Sequence, residues 1–188
     1  SDRAKLTSDL GIAEDAPLIA LSGPLIRTKE IDEAIWCYEL VRVVHPEARL
    51  LLLGDGPDRA RLERFAYLVS IPKCIRFCGF RCDQAAILPN VDVFWQLNYS
   101  GSTPLAMLEA MAAGRPVVAS DALAHRAAIE SGRNGILVPH LNRAMAARAT
   151  DDVLRDSALG ARLGANAKAD VARDWSLDAA LAAVDRLY

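Results

Sequence analysis

Long hydrophobic runs are missing from this 188-residue chain. No apolar stretch approaches the ~18 residues that a bilayer-spanning helix needs, so the reading excludes one. An excess of basic charge is missing too. The 22 Lys and Arg residues against 24 Asp and Glu leave a formal charge of −2, and the cations are scattered. That balance excludes the footprint of a nucleic-acid binder and of a polybasic membrane patch. The four cysteines, Cys37, Cys74, Cys78 and Cys82, match no common zinc spacing, and no metal site is expected. They read as free packing thiols in a chain too long to need a disulfide framework, which suits a reducing, cytoplasmic setting. The opening SDRAKLTSDLG carries neither an initiator Met nor the form of a signal peptide, so the chain is expected to be a piece of a longer or processed protein. No repeat, low-complexity segment or linker divides it.

What is present is a strong alternation. The chain is 52% hydrophobic, enough for a proper core in one domain. Apolar strands are expected at Pro17–Ser22, Arg49–Leu53, Ile75–Cys78, Val91–Leu97, Val117–Ala119 and Gly135–Val138. Helices fall between them at Glu30–His45, Asp58–Val69, Asp83–Leu88 and His125–Glu130, after a short lead-in helix. From Leu141 to Tyr188 the chain reads helical in several pieces, with Leu181, Val184 and Leu187 packing back on the domain. Strands alternating with helices predict an α/β, Rossmann-like parallel sheet of about six strands covered on both faces. Ligands of such sheets bind beyond the carboxyl ends of the strands. That rule aligns Gly23–Lys29, Gly54–Asp58, Gly79–Arg81, Asn98–Thr103 and Ser120–His125 along one rim.

The stretch Gly101–Ser120, GSTPLAMLEAMAAGRPVVAS, organises the rest. Ser102 and Thr103 read as capping residues, Pro104 as the first helical residue, and Gly114 as the stop. The helix between is apolar on nearly every side and reads as buried. Its one charge, Glu109, then needs a cation, hydrogen-bond donors or a ligand; a structural ion pair, or a narrow wet side of the helix, serves as well as a ligand. Free N–H groups at the helix start, Ser102–Leu105, suit an anion, and Lys29 on the neighbouring rim adds a cation. Arg27 either helps or points to water. Gly54-Asp55-Gly56 follows a strand and opens a helix, but Arg59 stands where a dinucleotide fingerprint needs its third glycine, so a simple turn explains the pair.

These residues resemble a family, the retaining GT-B glycosyltransferases called glycosyl transferases group 1, over nearly the whole chain. GPLIRTKEID resembles their G-R-L-x-x-x-K-G-I-D loop. ARLLLLGDGPDRARLE resembles their second strand and turn, and IRFCGF their V-x-F-x-G-x segment. PLAMLEAMAAGRPVVASD resembles L-E-A-M-A-x-G-x-P-V-V, and GRNGILVP resembles G-x-x-G-x-L-V-P. The resemblance implies that residues 1–188 are the second, donor-binding half of a two-domain enzyme whose first, acceptor-binding domain lies outside this sequence. It implies a nucleoside-diphosphate sugar as substrate, no cofactor and no metal. Lys29, in the loop that Gly23 opens, matches the lysine that holds the donor diphosphate. Glu109 matches the second glutamate of an E-x7-E pair, which holds the ribose hydroxyls. Ser102, Thr103 and Leu105 match the backbone around phosphates and sugar, and Phe80 the segment along the base.

Departures at the phosphate and the sugar bear on the site. The phosphate-binding arginine falls at Pro24, for which Arg27 is a candidate substitute. The first glutamate of the pair, a donor-sugar contact, falls at Gly101. A glutamate common after the fifth strand is Ala127 here; His125 stays near the rim and reads as a surface residue at a helix start. The expected function is donor binding for sugar transfer with retention to an unknown acceptor, inactive in this segment alone. The alternatives are a degenerate nucleotide-binding module and a sugar-nucleotide epimerase, which shares the architecture but lacks the L-E-A-M-A match.

Overall fold

A computed structural model of the chain describes residues 2–99, 103–176, 179 and 181, and every structural statement below refers to those. Six strands form one sheet: β1 (Leu18–Ser22), β2 (Arg49–Leu53), β3 (Ile75–Gly79), β4 (Val93–Gln96), β5 (Val117–Ser120) and β6 (Ile136–Val138). Every pairing is parallel, in the order β3-β2-β1-β4-β5-β6. The strands are apolar at successive positions because both faces are covered. Ile19, Leu21, Leu52, Trp95 and Val118 join one core with α2 (Ile31–Val44), α3 (Arg59–Val69) and α7 (Arg143–Arg155). Leu18, Ala20, Leu51, Phe94 and Val117 join the other with α1 (Asp2–Leu10), α4 (Gln84–Ile87), α5 (Leu105–Ala112) and the end of α8 (Ser157–Asp174). The two polar groups that the larger aromatics bring inside are satisfied. Tyr38 donates its hydroxyl to the Ala48 carbonyl at 2.8 Å, and Trp95 donates Nε1–H to Thr150 Oγ1 at 2.9 Å.

The expected strands all form, within two residues of their bounds. Three helical expectations are corrected. First, α5 starts at Leu105, with Pro104 as an extended N-cap at φ −72°, ψ 129°, one residue outside the helix. Thr103 does not cap it; its hydroxyl donates to the Ala124 carbonyl at 3.0 Å, and Ser102 lies outside the described residues. Second, α5 is not buried all round. Met107, Ala110 and Met111 are buried, whereas Leu105 is exposed, and Glu109 is only partly covered because it lines a hollow between α5 and the one-turn α4. Third, the helix after β5 is α6 (Leu123–Arg126), two residues earlier than expected, because His125 folds inward onto the end of β5. In the tail, Leu181 is exposed rather than packed, and Val184 and Leu187 lie outside the described residues.

The helix stop at Gly114 behaves as expected. Its φ is +72°, Gly114 N–H donates to Met111 O, and Arg115 N–H donates to Ala110 O, the paired bonds of a Schellman end. Gly54 has a different task. A Cβ there would stand 1.9 Å from the Gly23 carbonyl oxygen. Gly23 N–H donates to Leu53 O at 3.0 Å and Leu25 N–H to Asp55 O at 2.9 Å, so the loops after β1 and β2 touch backbone to backbone. The Gly-x-Gly pair thus serves loop-on-loop packing.

Candidate functional site

Sheet order reverses between β1 and β4, the switch point at which a crevice opens beyond the carboxyl ends of the strands. Lys29 stands there, at the end of a 3-10 turn, Arg27–Lys29, that leaves β1. Among the described residues Lys29 makes no ion pair, although the chain has ion pairs on most of its other rim cations: Arg59 with Asp55, Arg81 with Asp83, Arg126 with Asp121. Its Cε lies 4.0 Å from where a Cβ on Gly23 would stand, so the lysine stem runs beside the loop that Gly23 opens. Arg27 is exposed on the same turn, with no partner among the described residues.

His125 adjoins this point and is 0% exposed, which corrects its reading as a surface residue. Its Nδ1 lies 2.7 Å from the Ser120 carbonyl. A carbonyl only accepts, so Nδ1 carries the hydrogen and Nε2 the lone pair. That Nε2 is buried with no partner among the described residues. Burial, and then the nearby Lys29 ammonium, push the His125 pKa below its ordinary 6.5 against the opposing pull of the Ser120 carbonyl. The ring is therefore neutral at pH 7. Thr103, bonded to Ala124, holds the start of α5 against this same corner. No described side chain caps α5, so its first N–H groups remain available to a ligand.

The second part of the site is a hollow of about 520 Å³ beyond β3, lined by Phe80, Arg81, Gln84, Leu88 and Glu109 among others. The Glu109 carboxylate has neither a hydrogen bond nor an ion pair among the described residues; it opens into the hollow instead of crossing to a structural cation. Phe80 is 81% exposed at the mouth, a large apolar ring without a packing role. Gln84 joins the two parts, because Ser22, at the end of β1, donates its hydroxyl to Gln84 Oε1. The structure thus brings Phe80 and Glu109 together, and sets Lys29, Gly23, His125 and the α5 start together beside them. Lys29 does not line the hollow itself. Ser102 and Gly101 lie outside the described residues. Gln84 was not singled out in the sequence, since a lone Gln in a helix of one turn carries no pattern.

The chemistry of such a rim is specific in kind. An unpaired ammonium beside a helix N-terminus holds an anion such as a diphosphate. A carboxylate in a half-open hollow accepts from neighbouring hydroxyls, and an exposed aromatic face suits a planar ring.

Known proteins share this fold. The chain is 32% identical over 164 residues to a lipopolysaccharide core biosynthesis glycosyltransferase, LpsE, of Rhizobium meliloti, covering 86% of this chain and 45% of that protein. It spans less than half the length of that relative. The crystal structure of the C-terminal domain of a glycosyl transferase group 1 family protein, LpcC, from Francisella tularensis superposes with a TM-score of 0.81 at 23% identity, covering 93% of each chain. HepE of Anabaena, solved with UDP-glucose, superposes at 0.83 and 23% identity, over 92% of this chain and 48% of that one. Residues 2–170 match the family described as glycosyl transferases group 1. With that match across nine-tenths of its length, on a sheet whose switch point presents Lys29 and the start of α5, the chain belongs to the glycosyl transferases group 1 family.

Proposed function

We propose that this chain binds the nucleoside-diphosphate sugar of a glycosyltransferase that transfers with retention, the acceptor being held by a domain outside the chain. The observation that carries the reading is Lys29, a switch-point ammonium without an ion pair among the described residues, next to a helix N-terminus that no described side chain caps. The diphosphate would lie between them. The base would rest near Phe80 and the ribose hydroxyls would donate to Glu109. Breaking the bond between the anomeric carbon and phosphate leaves negative charge on the departing nucleoside diphosphate, and Lys29 with the α5 N–H groups faces that charge. UDP-glucose in HepE supports a uridine nucleotide as the first ligand to try.

Pro24 and Gly101 favour a second reading, a module that grips the nucleotide and transfers nothing, because each removes a side chain expected at the phosphate or the sugar. A thermal-shift panel of UDP, GDP, ADP and CDP tests the binding common to both. One diphosphate should raise Tm, and the matching nucleoside should raise it less. A flat response to all four would contradict both readings. Release of sugar from the matching labelled nucleotide sugar, measured on a protein that includes the acceptor-binding domain, then separates enzyme from module.

A further inference from the structure

Glu30 breaks a local rule. Its backbone stands at φ 51°, ψ 39°, in the left-handed region. A side chain there is disfavoured and glycine is the default. The G-R-L-x-x-x-K-G-I-D loop that GPLIRTKEID resembles has a glycine at this position. Outliers of this sort cost stability and gather where a site needs them.

Its position gives the reason. Glu30 directly follows Lys29 at the switch point and caps α2. Its carboxylate spans the crevice: Oε2 accepts from the Tyr99 N–H beyond β4 at 3.3 Å, and Oε1 lies 3.4 Å from His140 Nε2 beyond β6. The Tyr99 and His140 rings pack edge to face, 5.5 Å between centroids, and hold that wall in place. Both carboxylate contacts are long, and the side chain keeps 30% of its surface exposed. Acceptor lone pairs are therefore left over. The other rim carboxylates are consumed by arginines, Asp55 by Arg59, Asp83 by Arg81, and Asp121 by Arg126. Among the described rim carboxylates, Glu30 and Glu109 have no Arg or Lys partner, and they face different parts of the rim. Glu109 faces β3 and the Phe80 hollow; Glu30 faces β4 and β6.

A nucleoside-diphosphate sugar has the same order of chemistry, a polyol, a diphosphate and a second polyol. We infer that Glu30 accepts hydroxyls of the sugar being transferred and is a determinant of which sugar the site takes. Tyr99, which Glu30 reaches, precedes by two residues Gly101, a position with no side chain to offer the sugar. The inference rests on the donor-binding reading above.

Calorimetric titration of the chain with UDP and with UDP-glucose, and with GDP and GDP-mannose, tests it in wild type, Glu30→Gln and Glu30→Gly. A charge-assisted hydrogen bond is strong enough that its loss weakens the nucleotide sugar by about 10-fold or more. The free diphosphate should change by less than about 2-fold in the same variants, since the Lys29 grip is intact. Glu30→Gln, which keeps one acceptor oxygen, should fall between wild type and Glu30→Gly. Removing the side chain at a left-handed position also relieves backbone strain, so Glu30→Gly should melt ~2–4 °C higher while binding sugar worse. A residue of purely structural importance would give the opposite sign in Tm. Equal losses for diphosphate and nucleotide sugar, no loss for either, or a lower Tm in Glu30→Gly would each overturn the inference. If wild type binds none of these ligands and none of the UDP, GDP, ADP and CDP panel, the donor-binding reading itself fails, and this inference fails with it; if it binds ADP or CDP, the same comparison is made with that base's diphosphate and nucleotide sugar.

Discussion

Replacing Gly54 by alanine puts one methyl group where two loops meet. The added Cβ would lie 1.9 Å from the Gly23 carbonyl oxygen and 2.9 Å from its carbonyl carbon, both rigid backbone. Real Cβ contacts essentially never fall below 3.0 Å, so the loops must part by about an ångström or more. Overpacking of this kind costs ~1–3 kcal/mol or more, and a non-glycine residue at φ +149° adds ~1–3 kcal/mol of backbone strain. The sum, ~2–6 kcal/mol, corresponds to a Tm lower by ~4–24 °C at this chain length. Gly132→Ala is the control. Gly132 also has positive φ, +83°, but nothing lies within 4 Å of its added Cβ, so only strain of ~1–3 kcal/mol applies. Differential scanning calorimetry of both variants compares collision plus strain with strain alone. The displaced loop carries Gly23, against which the Lys29 stem rests, so Gly54→Ala should also weaken diphosphate binding, whereas Gly132→Ala should not. A Gly54→Ala protein that melts no lower than Gly132→Ala would refute the close approach of the two loops.

Other outcomes follow from single groups. His125 is held below its ordinary pKa of 6.5 by burial and by Lys29. The unfolded chain binds that proton more readily, so stability is fully present above about pH 6.5 and is lost as pH falls through the folded pKa. The acid-side loss in chemical denaturation should be smaller in His125→Gln, and an unchanged pH slope would contradict a neutral buried ring. Thr150→Val strands the Trp95 indole N–H inside the core and should cost ~1–3 kcal/mol by urea denaturation; a neutral result would place the indole elsewhere. Cys37 is buried and its thiol is pushed up to about 12 by burial, while Cys82 is exposed. Under native conditions a maleimide should label Cys82 first and spare Cys37, as mass spectrometry of digests would show. Finally, Glu109→Ala should abolish the preference for a ribose over a 2′,3′-dideoxyribose nucleotide, with the wild-type preference lost in the variant and the dideoxy affinity unchanged.

Much of the architecture was legible because fully covered parallel strands are unmistakably apolar: RLLLL and VVAS leave little choice but the interior. Glu109 was legible for the same reason, as the one charge in an apolar helix. Its surroundings were not, since the hollow is assembled from β3, α4 and α5, which local pattern cannot place together. That is also why α5 reads as buried all round when one side faces open space. His125 looked like a surface group because a histidine in an alanine-rich segment has the same local pattern inside or outside; its burial depends on the Ser120 carbonyl at the end of a buried strand. The Gly54-Asp55-Gly56 turn was visible, but its reason, contact with a loop some thirty residues earlier, was not. Glu30 was read only as the start of a helix, and the left-handed backbone and the reach to Tyr99 and His140 are what single it out.

The account depends most on the Lys29 ammonium meeting a diphosphate. Calorimetric titration of the chain with UDP, UMP and uridine, in wild type and Lys29→Ala, measures that directly. The expected result is tightening from uridine to UDP in wild type, with the UDP affinity falling ~10–100-fold in Lys29→Ala and uridine unchanged, a difference of ~1.4–2.8 kcal/mol that one near-surface charge pair supplies. UDP affinity that is the same in both proteins would contradict it.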